Sequence, residues 1–163
     1  MLAELLDDYK VQTTVGEEVG RIKDVFFDID KWTVTGFELS PGMFKKDRLL
    51  RIEQVKEIRD DEKLLIVDDS FQGGELPPSP SRMLFPMDAI KKKKVVDRNQ
   101  DKVGKVYNME IPYDKLKKLK VWKVLINTGF RERRLRIRPQ DISDIKEDIH
   151  LEKSLEEYRN KME

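Results

Sequence analysis

Val19-Gly20-Arg21-Ile22-Lys23-Asp24-Val25 returns 84 positions later as Val103-Gly104-Lys105-Val106-Tyr107-Asn108-Met109. Each stretch follows a polar turn, Val15-Gly16-Glu17-Glu18 in one case and Asn99-Gln100-Asp101-Lys102 in the other. Further on, Val34-Thr35-Gly36-Phe37-Glu38-Leu39 pairs with Val121-Trp122-Lys123-Val124-Leu125-Ile126 at an offset of 87. Leu50, Arg51, Val55 and Ile58 fall on Ile137, Arg138, Ile142 and Ile145 at that same offset. The change from 84 to 87 places a three-residue insertion in the Pro112-to-Lys120 loop, where a duplicated domain tolerates one.

The repeating unit reads as β. Arg21 to Ile29 is rich in Val, Ile and Phe, and Thr35, Phe37 and Leu39 alternate with Gly36, Glu38 and Ser40, the period of a strand with one buried face. Turn chemistry follows at Ser40-Pro41-Gly42 and at Asn127-Thr128-Gly129. A short strand comes next (49–52; 135–138). The three-residue spacing of Val55 and Ile58, and of Ile142 and Ile145, then predicts one helical turn. Leu64 to Val67 closes the first unit as a strand. About five or six short strands in so few residues predict a small barrel, which removes sheet edges by closure.

Between the units lies Gly73-Gly74-Glu75-Leu76-Pro77-Pro78-Ser79-Pro80-Ser81, whose glycines and prolines continue neither a helix nor a central strand. The expected organisation is a first domain over 1–72, a linker over 73–81, a second domain over 82–150 and a C-terminal amphipathic helix over 151–163. In that tail Leu151, Leu155, Tyr158 and Met162 share one helical face, for packing back on the second unit or for docking into a partner.

The Gly-x-x-Val-Gly-x-Ile-x-Asp-Val pattern over Gly16 to Val25 resembles the opening of the PRC-barrel family. Arg138-Pro139-Gln140-Asp141-Ile142 and Leu50 to Val55 look like its second landmark, a buried strand running into a short turn. The resemblance spans roughly residues 8–70 and 88–151, and departs from the family where Asn99-Gln100-Asp101 replaces the first turn glycine. It implies an all-β tandem of two small barrels. It also implies a non-enzymatic interaction module or adaptor with a protein partner, since such barrels contact ribosomal protein in a ribosome maturation factor and cell-division assemblies in archaea. Gly20 and Gly104 then serve packing at a bend or bulge rather than ligand contact.

Composition bounds the chemistry. The absence of cysteine excludes disulfides, thiolate catalysis and Cys-type zinc sites, and His150 is the sole histidine. No apolar run approaches the ~18 residues of a membrane span, and Glu4, Asp7 and Asp8 interrupt the N-terminal apolar patch, so a cytoplasmic protein without a leader is expected. No phosphate loop, calcium loop or cofactor motif is present. Asp60-Asp61-Glu62 reads as a turn and Asp68-Asp69 as a strand end. An enzyme would need a pocket holding a shifted carboxylate pair, and small barrels fill with their own side chains.

The net charge of +1 hides a division. Residues 1–80 hold 11 basic and 18 acidic residues, net −7, and residues 81–163 hold 22 and 14, net +8. Such polarity suits either a partner or attraction between the halves, which are expected to pack as a pseudo-dimer. The candidate partner-binding residues are Lys91, Lys92, Lys93 and Lys94, an unbroken run, and Arg131, Arg133, Arg134, Arg136 and Arg138. With Leu135 and Ile137 facing the core, Arg134, Arg136 and Arg138 share an outer face about 6–7 Å apart, suited to an acidic protein or to phosphates. The competing reading is a solvated edge strand that blocks aggregation. RNA or a ribosomal surface is the alternative partner, given 18 basic against 6 acidic residues over 82–138. Aromatic residues for stacking are few there: Tyr113, Trp122 and Phe130.

Overall fold

The computed structural model describes residues 2–42, 45–112, 119–129 and 134–159. The first sheet has seven strands, six of them from the first half: β1 (Lys10–Thr13), β2 (Glu18–Asp28), β3 (Thr33–Ser40), β4 (Arg48–Arg51), β5 (Val55–Arg59) and β6 (Leu64–Val67), the seventh pairing with β2 from beyond the linker. A two-residue strand β7 (Phe85–Pro86) and helix α1 (Met87–Lys92) follow. The second sheet holds β8 (Lys94–Val96), β9 (Lys102–Glu110), β10 (Lys123–Asn127), β11 (Arg134–Ile137), β12 (Ile142–Ile145) and β13 (Ile149–Leu151), and helix α2 (Leu155–Arg159) ends the described chain.

Strand order is β4-β3-β2-β1-β6-β5 in the first sheet and β11-β10-β9-β8-β13-β12 in the second, the same path twice. Closure by hydrogen bonds, expected from the strand count, is not seen among the described residues. Both paths are open, and their end strands are joined covalently through three-residue 3-10 turns at Ile52–Gln54 and Pro139–Asp141. One edge is covered by backbone: Leu49 and Gly74 exchange two hydrogen bonds, at 2.9 and 3.0 Å.

Local details repeat along with the order. Gln54 Oε1 accepts from the Arg51 backbone N–H, and the Asp141 carboxylate accepts from that of Arg138. Thr13 Oγ1 accepts from the Glu17 N–H as Asp97 Oδ1 does from Asp101. Gln100, which stands where the first half has Gly16, adopts its positive φ: 67° against 88°. The turn is therefore kept without its glycine.

Bulges explain where periodicity misleads. Val55 and Ile58 lie on strand β5, not on a helical turn, because the register skips a residue between Val55 and Glu57 and returns both apolar side chains to one side. Ile142 and Ile145 on β12 follow the same rule. In β3 a register shift beside Thr35 turns Val34 into the core and leaves Thr35 half-buried, whereas Phe37 and Leu39 point inward as expected. In the tail, Leu151 is a buried residue of β13 rather than the first contact of a helix. Helix α2 starts after Ser154, whose backbone N–H and hydroxyl both donate to the Glu157 carboxylate, the first of these being one arm of a capping box. Its Tyr158 is fully buried against the rest of the chain; Met162 lies outside the described residues.

The halves share one apolar cluster that includes Phe27, Phe37 and Leu50 from the first sheet and Met109, Val124 and Leu135 from the second. Their contacts are reciprocal. Leu2 bridges Glu110 on β9, and Pro86 bridges Phe26 on β2. At an offset of 84 these are one contact made twice with the halves exchanged. Thr33 bridges Lys120, its own equivalent at an offset of 87. The flanking bonds, Val34 N–H to Leu119 O at 2.8 Å and Val121 N–H to Trp32 O at 2.7 Å, are images of each other. Such exchange is the mark of an isologous contact, with Thr33 and Lys120 at its axis.

Candidate interaction surface

Strand β11 sets the arginines. Leu135 and Ile137 are buried, so Arg134, Arg136 and Arg138 project to the other side, the face expected from alternation. Each is used differently. The Arg136 guanidinium meets both oxygens of Glu110, Nε at 3.0 Å and Nη2 at 2.6 Å, and lies 5.2 Å from the ring centre of Trp122. Arg134 stacks over Tyr107 at 5.0 Å. Arg138 stands 3.7 Å from Asp141, the residue that caps its turn, and so serves the end of the sheet. Arg131 and Arg133 lie outside the described residues, as do Tyr113 and Phe130.

Trp122 is the centre of this face. It precedes β10, where its N–H donates to Glu110 O at 2.8 Å while its neighbour Val121 is buried and bonded to Trp32. The indole is left 58% exposed, with Lys123 5.9 Å from the ring on β10. A fixed tryptophan flanked by cations is an arrangement in which cation–π attraction holds both partners in place.

The lysine run divides. Lys91, half-buried, lines a cavity of about 430 Å³ between the halves, with Asp7, Asp24, Glu38 and Asp88. Lys92 pairs with Asp88 at 2.9 Å along α1. Lys93 donates to the carbonyl of Lys146 and sits 5.8 Å from the Phe85 ring, and Lys94 lies on β8 at 4.0 Å from Asp148. The last three face a different concavity from Lys91.

The first cavity contains groups with displaced acidity. Burial, followed by the neighbouring Asp47 carboxylate, pushes Glu38 up to about 7. The hydrogen bond from Glu38 holds Asp47 below its ordinary value, so the pair shares one proton that resides on Glu38. Lys23, 3.1 Å from Asp47 and 3.6 Å from Glu38, is raised by the Asp47 carboxylate. Burial also raises Asp24, although the Val25 N–H opposes it. Among the described residues, no three His, Asp or Glu side chains converge to hold a metal ion. The carboxylate pair is the feature an acid–base site would need; Lys23 pairs with it, and Asp24, Asp88 and Lys91 line the same cavity.

Residues 1–71 match the PRC-barrel domain family model. The match ends just after β6 and so covers β1 to β6. No curated protein matches the chain. Among the described residues, no helix is long and apolar enough to cross a membrane.

Glu110 and Tyr107, which fix Arg136 and Arg134, and the Glu38–Asp47 pair are not singled out by the sequence. Their signal was the outward parity of β2, β3 and β9, recoverable once the bulges are placed.

Proposed function

We propose that the chain is a non-enzymatic interaction module. Two PRC-barrel-like sheets form one pseudo-dimeric body, and its partner is a protein that presents carboxylates to the outer face of the second sheet. The observation that carries this reading is the exposed Trp122 beside Arg136, itself locked on Glu110, with Arg134 stacked on Tyr107. Trp, Tyr and Arg dominate interface energetics, and side chains already held in place lose little entropy on binding. Arg134, with no carboxylate partner in any described ion pair, is the guanidinium best placed to meet an incoming acid.

Affinity capture from source-cell extract, comparing the intact protein with Trp122→Ala and Arg134→Glu, tests this. Both positions are exposed, so each change should leave stability within about 0.5 kcal/mol. A partner retained by the intact chain and lost from both variants supports the proposal; equal recovery by all three refutes it. RNA is the second reading, favoured by the same stacked cations on the more basic half. It requires a mobility shift with structured RNA that weakens steeply with salt.

A further inference from the structure

The duplicated fold allows a comparison of equivalent positions within one chain. On the first two strands of each sheet, Lys10 lies opposite Arg21, and Lys94 lies opposite Lys105. Like charges set directly across neighbouring strands, with Cβ atoms about 4.5–5.5 Å apart, repel. In the first half, acids stand at two nearby positions, Asp8 and Glu18. Their equivalents at an offset of 84 are Lys92 and Lys102. Four positions that sum to zero in one half thus carry four positive charges in the other. The fold does not require this, because the first half builds the same strands without it.

These lysines converge. Lys92, Lys93, Lys94, Lys102 and Lys105 line one concavity of about 790 Å³, with Phe85, Ala89 and Pro80 as its apolar wall. A bulge in β9 at Val103–Gly104 brings Lys102 and Lys105, three residues apart, to the same side. Neither has an ion-pair partner among the described residues, and Lys94 reaches Asp148 only at 4.0 Å. Lys93 is tethered through its ammonium to the carbonyls of Lys146 and Glu147. Glu147 and Asp148 are the acids of its lining and Asp88 pairs with Lys92 along α1, so five lysines against three acids leave a positive excess.

We infer that this trough binds a ligand carrying two or more adjacent phosphate groups. Lysine is a compact point charge suited to phosphate oxygens. A directly opposed lysine pair offers one phosphate two cations at once, and Lys92 and Lys102 extend the row for a second. The volume is that of a small-molecule site, and Lys105 and Arg134 flank Asn127 of β10, so the trough borders the arginine face without sharing its lining residues.

Calorimetric titration of the full chain with inorganic tripolyphosphate at low and at physiological salt tests this, with ATP as a second arm. Comparable affinities for both assign recognition to the phosphate chain, and a tighter ATP assigns the apolar wall to its base. Lys92→Asp and Lys102→Glu install the residues the first half carries at those positions, so both should fold, as a melting curve will show. Each should weaken tripolyphosphate at least tenfold, whereas Arg21→Glu, which removes the first-half equivalent of Lys105, should leave affinity unaltered. No binding of tripolyphosphate at low salt, equal binding by the lysine variants, an equal loss in Arg21→Glu, or binding of RNA alone would each overturn the assignment.

Discussion

Replacing Gly104 by alanine should be among the most damaging single-methyl additions in the protein. A Cβ at this position would lie 2.1 Å from the carbonyl oxygen of Asn127 and 2.9 Å from Thr128 Cα, both backbone atoms at the end of β10. Real Cβ atoms essentially never approach within 3.0 Å, so strand and turn must separate by roughly 1 Å, breaking the pairing of Lys105 with Asn127. The backbone at φ +155° adds strain for any L side chain. Overpacking costs about 1–3 kcal/mol and the unfavourable backbone a similar amount, while alanine recovers about 0.4–1 kcal/mol by restricting the unfolded chain. The net is a loss of about 2–4 kcal/mol. For a chain of this size that lowers Tm by roughly 4–16 °C. Gly20, φ +153°, has the equivalent contact at 2.5 Å to Ser40 O, and its next neighbour is the movable Leu39 Cδ1 at 2.8 Å, so Gly20→Ala should cost less. Urea unfolding of both variants gives the two losses. If Gly104→Ala stays within about 0.5 kcal/mol of the parent, or if Gly20→Ala is the more damaging, the close-approach argument is wrong.

Glu38→Gln should flatten part of the pH dependence of stability. Because the folded state raises this carboxyl to about 7, the folded chain holds its proton more tightly than the unfolded one. The resulting stabilisation is complete below the unfolded pKa and is lost as pH rises through 7. The full shift would correspond to about 3 kcal/mol, and solvent screening of a partly exposed pair reduces it to about 1 kcal/mol. Asp47, held low, acts with the opposite sign and only in more acidic solution. Urea melts at pH 5 and pH 8 should therefore show the parent losing about 1 kcal/mol more than the variant; an equal loss in both refutes the shared proton. Finally, a protease site placed between Pro78 and Ser79 should yield a nicked protein that still elutes as one species, held by the reciprocal bridges and the common core. Elution as two separate halves would show those contacts to be too weak to hold the halves without the linker.

The sequence carried the strand pattern and the doubling because both depend on features that survive in one dimension. A glycine where two backbones meet, and the offsets of 84 and 87, are visible in the letters. The inward parity of Leu135 and Ile137 was legible too, and with it the outward face of Arg134 and Arg136. What failed were the places where a bulge changes parity. Val55 and Ile58 imitate a helical period because one skipped residue in a strand has the same effect on facing as a turn of helix. The outward side of Trp122 followed only if the register held, and the partners of Arg136 and Glu38 stayed hidden since each joins strands distant in the chain, where only the register decides which side chains meet. The Ser154-x-x-Glu157 spacing that sets the start of α2 was in the letters, masked by the apolar spacing of the tail.

Thr33 and Lys120 meet where the two halves exchange places, and they are different residues. In an assembly of two identical chains that position would have to bring a residue against its own copy, and every outer face would occur twice. Covalent joining lifts the constraint. Each half can then vary where its counterpart stays fixed, so that one sheet carries a carboxylate pair around Glu38 where the other carries arginines and a tryptophan. The linked molecule therefore has a front and a back of different chemistry.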